Sequence, residues 1–98
     1  MQLGFIAPQE VLDIIAGIGR TEDIRFSPDR SRLAVAAITR QLIVVFEIEV
    51  RMTPAGKQVH LSTAVELSSS QLQSPHGLDF IDNETLVVAN REGDLTLF

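Results

Sequence analysis

The sequence predicts an all-β chain built from repeated antiparallel units, and three observations support this. Four of the five phenylalanines form two matched pairs, Phe26 with Phe80 at a separation of 54 residues and Phe46 with Phe98 at 52. From Val44 to Val50 the apolar residues Val44, Phe46, Ile48 and Val50 alternate with Glu47, Glu49 and Arg51 on the later positions, the period of a strand with one buried face. Clusters of turn formers, such as Ser27-Pro28-Asp29 and Asp82-Asn83, punctuate the apolar runs at matching places.

The repeat extends beyond the phenylalanines. A shift of 54 residues places Ile18 on Leu72, Ile24 on Leu78 and Phe26 on Phe80, and it puts Pro28-Asp29 on Asp82-Asn83. After one gap at the turn, Leu33-Ala34-Val35-Ala36 falls on Leu86-Val87-Val88-Ala89. After a second, Ile43 to Phe46 falls on Leu95 to Phe98. Both gaps sit in turns, where length changes are tolerated best. A period of about 50 residues is that of propeller blades and other arrays whose units bury their faces against neighbours.

Taken in order, residues 1–22 form an N-terminal segment in which Pro8 to Ala16 has two readings. Pro8, Glu10 and Gly17 would cap a short helix. The repeat instead lays Val11 to Ile15 on the end of a long outer strand, and the expectation favours the outer strand of a preceding blade. Residues 23–67 make one complete four-stranded blade: a strand to Ser27, a second over Arg32 to Ile38, then a long hairpin. In its second arm Val59, Leu61, Thr63, Val65 and Leu67 are read as one face, opposite His60, Ser62, Ala64 and Glu66. Residues 68–76 cross to the next unit, and residues 77–98 give an incomplete second blade of three strands.

Composition narrows the function. Of the 98 residues 45% are hydrophobic, enough for a core, but each repeat is too short to enclose one alone. A net charge of -5, with seven scattered arginines and one lysine, gives no basis for nucleic acid or anionic membrane as a partner. Absence of cysteine removes disulfides and thiolate zinc sites and leaves the compartment open. No signal peptide is read in Met1 to Pro8, and no apolar run reaches the ~20 residues of a membrane helix, so the chain is expected to be soluble.

The stretch Phe26-Ser27-Pro28-Asp29, followed by Leu33-Ala34-Val35-Ala36, resembles the FSPDG-x-x-LAVA pattern of many beta-propellers. Pro75 to Phe80, Leu86 to Asn90 and Gly93 to Phe98 resemble YVTN and NHL-like blades, found in lactonase-like and paraoxonase-like proteins. Arg30 replaces the glycine of FSPDG, so that turn must change type or hold a side chain at positive φ. Two blades cannot close a ring. The expected partners are therefore the remaining blades of a longer propeller, or copies of the chain associating through the open edge at Leu95 to Phe98.

In propellers of this kind, loops leading into the innermost strands surround the channel mouth, which here implies Glu22, Asp23 and His76 as ligand-binding residues. Glu22 and His76 occupy equivalent repeat positions and are expected to face one cavity, where His76 could exchange protons near neutral pH. The resemblance to paraoxonase-like enzymes implies, as an alternative, calcium or another divalent metal held by channel carboxylates. Calcium needs six to eight oxygen ligands, more than two blades supply. Asn90 is expected to support a turn, and Ser74, His76 and Asp79 are too close along one strand to act as a catalytic triad. No catalytic residue is assigned, and no cofactor is expected outside the metal alternative. The reading is a non-catalytic platform for a protein or small-molecule ligand; the alternative is a piece of a lactonase-like hydrolase.

Overall fold

In the computed structural model, which describes residues 4–98, the chain forms two antiparallel units packed face to face. Four strands build the first: β2 (Thr21–Phe26), β3 (Arg32–Ala37), β4 (Leu42–Thr53) and β5 (Gly56–Leu67). A short strand β1 (Phe5–Ile6) joins the edge of β5 in parallel, giving the order β1-β5-β4-β3-β2. The second unit is a three-stranded sheet of β6 (Pro75–Phe80), β7 (Leu86–Asn90) and β8 (Leu95–Leu97). The fold is thus all-β, with one complete four-stranded blade and part of its neighbour.

Two cores follow from the alternation of each strand. Ala34, Ala36 and Ile43 face the second unit and are fully buried against Leu72, Leu78, Leu86 and Val88. Val35, Ala37, Val44 and Phe46 point the other way and meet a helix, α1 (Gln9–Ala16), through the buried Val11. This corrects the expectation of a preceding blade's outer strand in residues 1–22. The apolar set Val11, Ile14, Ile15 and Ile18 follows helical spacing, and Gly17 ends the helix by donating its N–H to carbonyls of the last turn. The 54-residue shift could not separate the two readings, because both place Val11 in a core. Phe98 packs in the core between the units and Phe46 in the core under the helix, with Phe80 against the former. Phe26 is 47% exposed and belongs to neither core cluster.

The long hairpin carries a second correction. Its register shifts between Glu47 and Ile48, so Ser62 is an extra residue between Leu61, which pairs with Ile48, and Thr63, which pairs with Glu47. A one-residue bulge reverses the face of every later side chain. Leu61 therefore belongs to the core under the helix, whereas Leu67 packs toward the second unit, and Val59 to Leu67 do not share one face. The hairpin closes on Pro54 and Ala55 alone, with Gly56 at φ 116°. Arg30 adopts φ 63°, so the first turn keeps its shape at the cost of a non-glycine residue in the left-handed region, with its guanidinium 5.7 Å from the Phe26 ring.

Three open strand edges are treated alike. Ser27 N–H donates to Arg32 O and Ile81 N–H to Thr85 O. By antiparallel alternation, Ile24 on β2 and Phe80 on β6 then turn their N–H groups outward from the sheet. Each outward amide donates to the aspartate just before it: Ile24 to Asp23 and Phe80 to Asp79, both at 2.8 Å. On β8, Leu95 donates to Asp94 at 2.8 Å.

Candidate site at the inner strand ends

The two inner strands, β2 and β6, begin with the same irregularity. Pairing shifts between Thr21 and Asp23 in one and between Pro75 and Gly77 in the other, which makes Glu22 and His76 the bulged residues. Bulges re-aim a side chain out of the alternating pattern. Here they bring the two residues to the boundary between the units, with His76 Nδ1 3.7 Å from Glu22 Oε2.

Their surroundings differ. The Glu22 side chain is only 12% exposed, while half of His76 is open to solvent. Glu22 Oε1 lies 3.3 Å from Arg20 Nε, yet it is buried and accepts no hydrogen bond. A buried carboxylate oxygen without a donor is uncommon and costly, since the ion pair alone does not replace the water it has lost. The site therefore combines a screened acid, a half-exposed imidazole and an arginine at the rim.

Asp23 sits beside them with its carboxylate fully engaged. Oδ1 accepts from Ile24 N–H, and Oδ2 accepts from Leu78 N–H at 3.0 Å across the unit boundary. A Cβ at Gly77 would stand 4.0 Å from Asp23 Oδ2, an ordinary van der Waals contact, so the approach of the two strands does not depend on glycine there. Asp23 thus fastens one inner strand to the next, and its remaining interaction is with Arg25 at 3.7 Å.

The crossing loop is held by residues that the sequence only partly revealed. Asn90 is buried, accepts from Gln73 N–H at 2.9 Å and donates to Thr96 Oγ1 at 3.0 Å. This is the supporting role expected of it, exerted on the loop and the next strand. Gln41 Oε1 accepts from Ser74 N–H at 2.7 Å, and Ser74 O accepts from Arg91 N–H at 2.9 Å. At the opposite end of the blades Arg32 Nη1 donates to Asn83 O at 2.8 Å, while Asn83 Oδ1 accepts from Asp29 N–H at 2.9 Å. Asp29 and Asn83 are repeat equivalents, a signal that their turns would be neighbours, but nothing in the sequence indicated the bond.

Among the described residues His76 makes no hydrogen bond with Ser74 or Asp79, and no group of three or more His, Cys, Asp or Glu is arranged to hold a metal ion. The metal-dependent alternative therefore gains no support from the side-chain geometry. His60 lies on the long hairpin next to Gln58, away from this site. No helix among the described residues is long and apolar enough to cross a membrane.

A family model described as the lipoprotein LpqB beta-propeller domain matches residues 6–97. No curated protein and no solved structure is similar enough to the chain to count as a match.

Proposed function

We propose a function from one premise: the chain belongs to the lipoprotein LpqB beta-propeller domain family. Its blades act as a rigid platform, and the binding point lies at the inner strand ends, where Glu22 and His76 converge. The carrying observation is the buried Glu22 Oε1, which accepts no hydrogen bond although it stands beside His76 and Arg20. Asp23, Asn90 and Gln41 hold the strands and loop around this point through backbone hydrogen bonds, so its geometry is fixed before any ligand arrives. A ligand group that donates hydrogen bonds, such as a guanidinium or an amine on a peptide or small molecule, would complete the acceptor set of Glu22 while the half-exposed imidazole contacts its flank.

N-acetylarginine amide serves as the probe, titrated while the Glu22 and His76 resonances are followed by NMR. Saturable shifts confined to Glu22, His76 and their neighbours, lost in Glu22→Gln and weakened in His76→Ala, are expected. An unchanged titration in Glu22→Gln would overturn the assignment.

A further inference from the structure

The three polar side chains at the inner strand ends differ sharply in freedom. Glu22 is 12% exposed, His76 51% and Arg20 72%. The Arg20 backbone is tied to the end of β3, where its carbonyl accepts from Ile38 N–H at 3.0 Å and its N–H donates to Thr39 Oγ1 at 3.3 Å. Its guanidinium therefore extends from a fixed root, and among the described residues Glu22 is its one ion-pair partner. The 54-residue shift puts Ser74 at the position matching Arg20, so the second unit supplies no equivalent cation there.

The pair between Arg20 and Glu22 is incomplete. Arg20 Nε stands 3.3 Å from Glu22 Oε1 without donating a hydrogen bond, and Oε1 is closed to solvent. His76 Nδ1 flanks the other oxygen, Oε2, at 3.7 Å. Arg20 thus stands beside the acceptor that it leaves unsatisfied, and it is the least enclosed of the three groups. A simple cation that reaches Oε1 has to move the guanidinium aside, which leaves two positive charges together and one of them without a counter-charge. A ligand that carries a carboxylate beside its amine removes this conflict. The carboxylate receives the guanidinium, the ammonium donates to Oε1, and both new contacts are charge-assisted hydrogen bonds.

We propose that Arg20 makes this site selective for a zwitterion, an ammonium and a carboxylate borne on one carbon as in a free amino acid, by exchanging its partner from Glu22 to the ligand. The inference rests on the binding point proposed above and narrows its ligand class. Arg20 acts here as the residue that sets specificity, while Glu22 remains the primary acceptor.

The test titrates the 98-residue chain at neutral pH with glycine, glycinamide and acetate, followed by NMR through the Arg20 Nε–H and Glu22 amide resonances. Glycine is expected to bind about fivefold more tightly than glycinamide, the upper end of what one exposed ion pair contributes. It alone should shift both resonances saturably, with acetate giving no saturation. Arg20→Gln should level the affinities of glycine and glycinamide, Arg20→Lys should restore most of the preference, and Glu22→Gln should weaken both ligands. Equal affinity of glycine and glycinamide in the parent, with binding still lost in Glu22→Gln, overturns the selectivity and leaves the cation-binding point standing. A preference for glycine that survives Arg20→Gln also overturns it. Binding of neither ligand, or binding indifferent to Glu22→Gln, overturns both the selectivity and the binding point.

Discussion

Removal of the Asp23 carboxylate is the most direct probe of how the two units are joined. In Asp23→Ala two charge-assisted hydrogen bonds disappear, to Ile24 N–H at 2.8 Å and to Leu78 N–H at 3.0 Å. Bonds to a charged partner contribute about 1.5–3 kcal/mol each. The aspartate is about a quarter exposed and the Ile24 amide can turn to water, which leaves the part-buried Leu78 amide as the main loss. The expected destabilisation is about 2–3 kcal/mol, and Asp23→Asn, which keeps an acceptor, should cost about 1 kcal/mol. Asp79→Ala is the internal control, because it removes one exposed bond within its own strand and should cost at most about 0.5 kcal/mol. Urea unfolding followed by far-UV circular dichroism gives the differences as midpoint shifts at constant slope. Hydrogen exchange should place the effect at the boundary, with the Leu78 amide exchanging about thirtyfold faster in Asp23→Ala for a loss near 2 kcal/mol. Equal destabilisation by Asp23→Ala and Asp79→Ala, or an unchanged Leu78 amide, would refute the inter-unit latch.

Two further outcomes are expected. Arg30 holds φ 63°, a conformation that costs a non-glycine residue about 1–2 kcal/mol, against about 0.5–1 kcal/mol for its exposed contact with the Phe26 ring. Arg30→Gly should therefore raise stability slightly, and Arg30→Val should lower it by about 1 kcal/mol or more; equal losses in both would contradict the strain account. The Asp29 carboxyl is held below its ordinary range by the Ser31 N–H first, then by the Ser27 and Ser31 hydroxyls. A depressed folded-state pKa stabilises the fold above the unfolded-state value, and that contribution is lost as pH falls through the folded value. Carbon-detected NMR titration should show Asp29 titrating at more acidic pH than an unperturbed aspartate, with Ser27→Ala moving it upward.

Much of the fold was legible because repetition is a sequence property. Leu33 to Ala36 and Leu86 to Ala89 announced matching second strands, and the equivalence of Glu22 and His76 predicted their convergence. The same repetition misled at Val11 to Ile15, where a core-facing residue fits a strand or a helix equally well and only the tertiary setting decides. Ser62 was invisible as a bulge, since an inserted residue in an alternating run still alternates and merely changes face. Exposure of Phe26 could not be read either, because burial of an aromatic depends on which neighbour covers its face. Asp23 was singled out for its position near the strand ends, but its engagement with Leu78 is a contact between units that no local pattern encodes.

The aspartates at Asp23, Asp79 and Asp94 have a consequence for how the molecule tolerates its own open sheets. Each carboxylate fills a hydrogen-bonding slot that the backbone of a passing chain would otherwise take, and each adds a charge that such a chain must desolvate. Indiscriminate edge-to-edge pairing, the route by which exposed strands turn into aggregates, is resisted without burying the edges. Part of the chain's acidity is thus a safeguard at the strand margins.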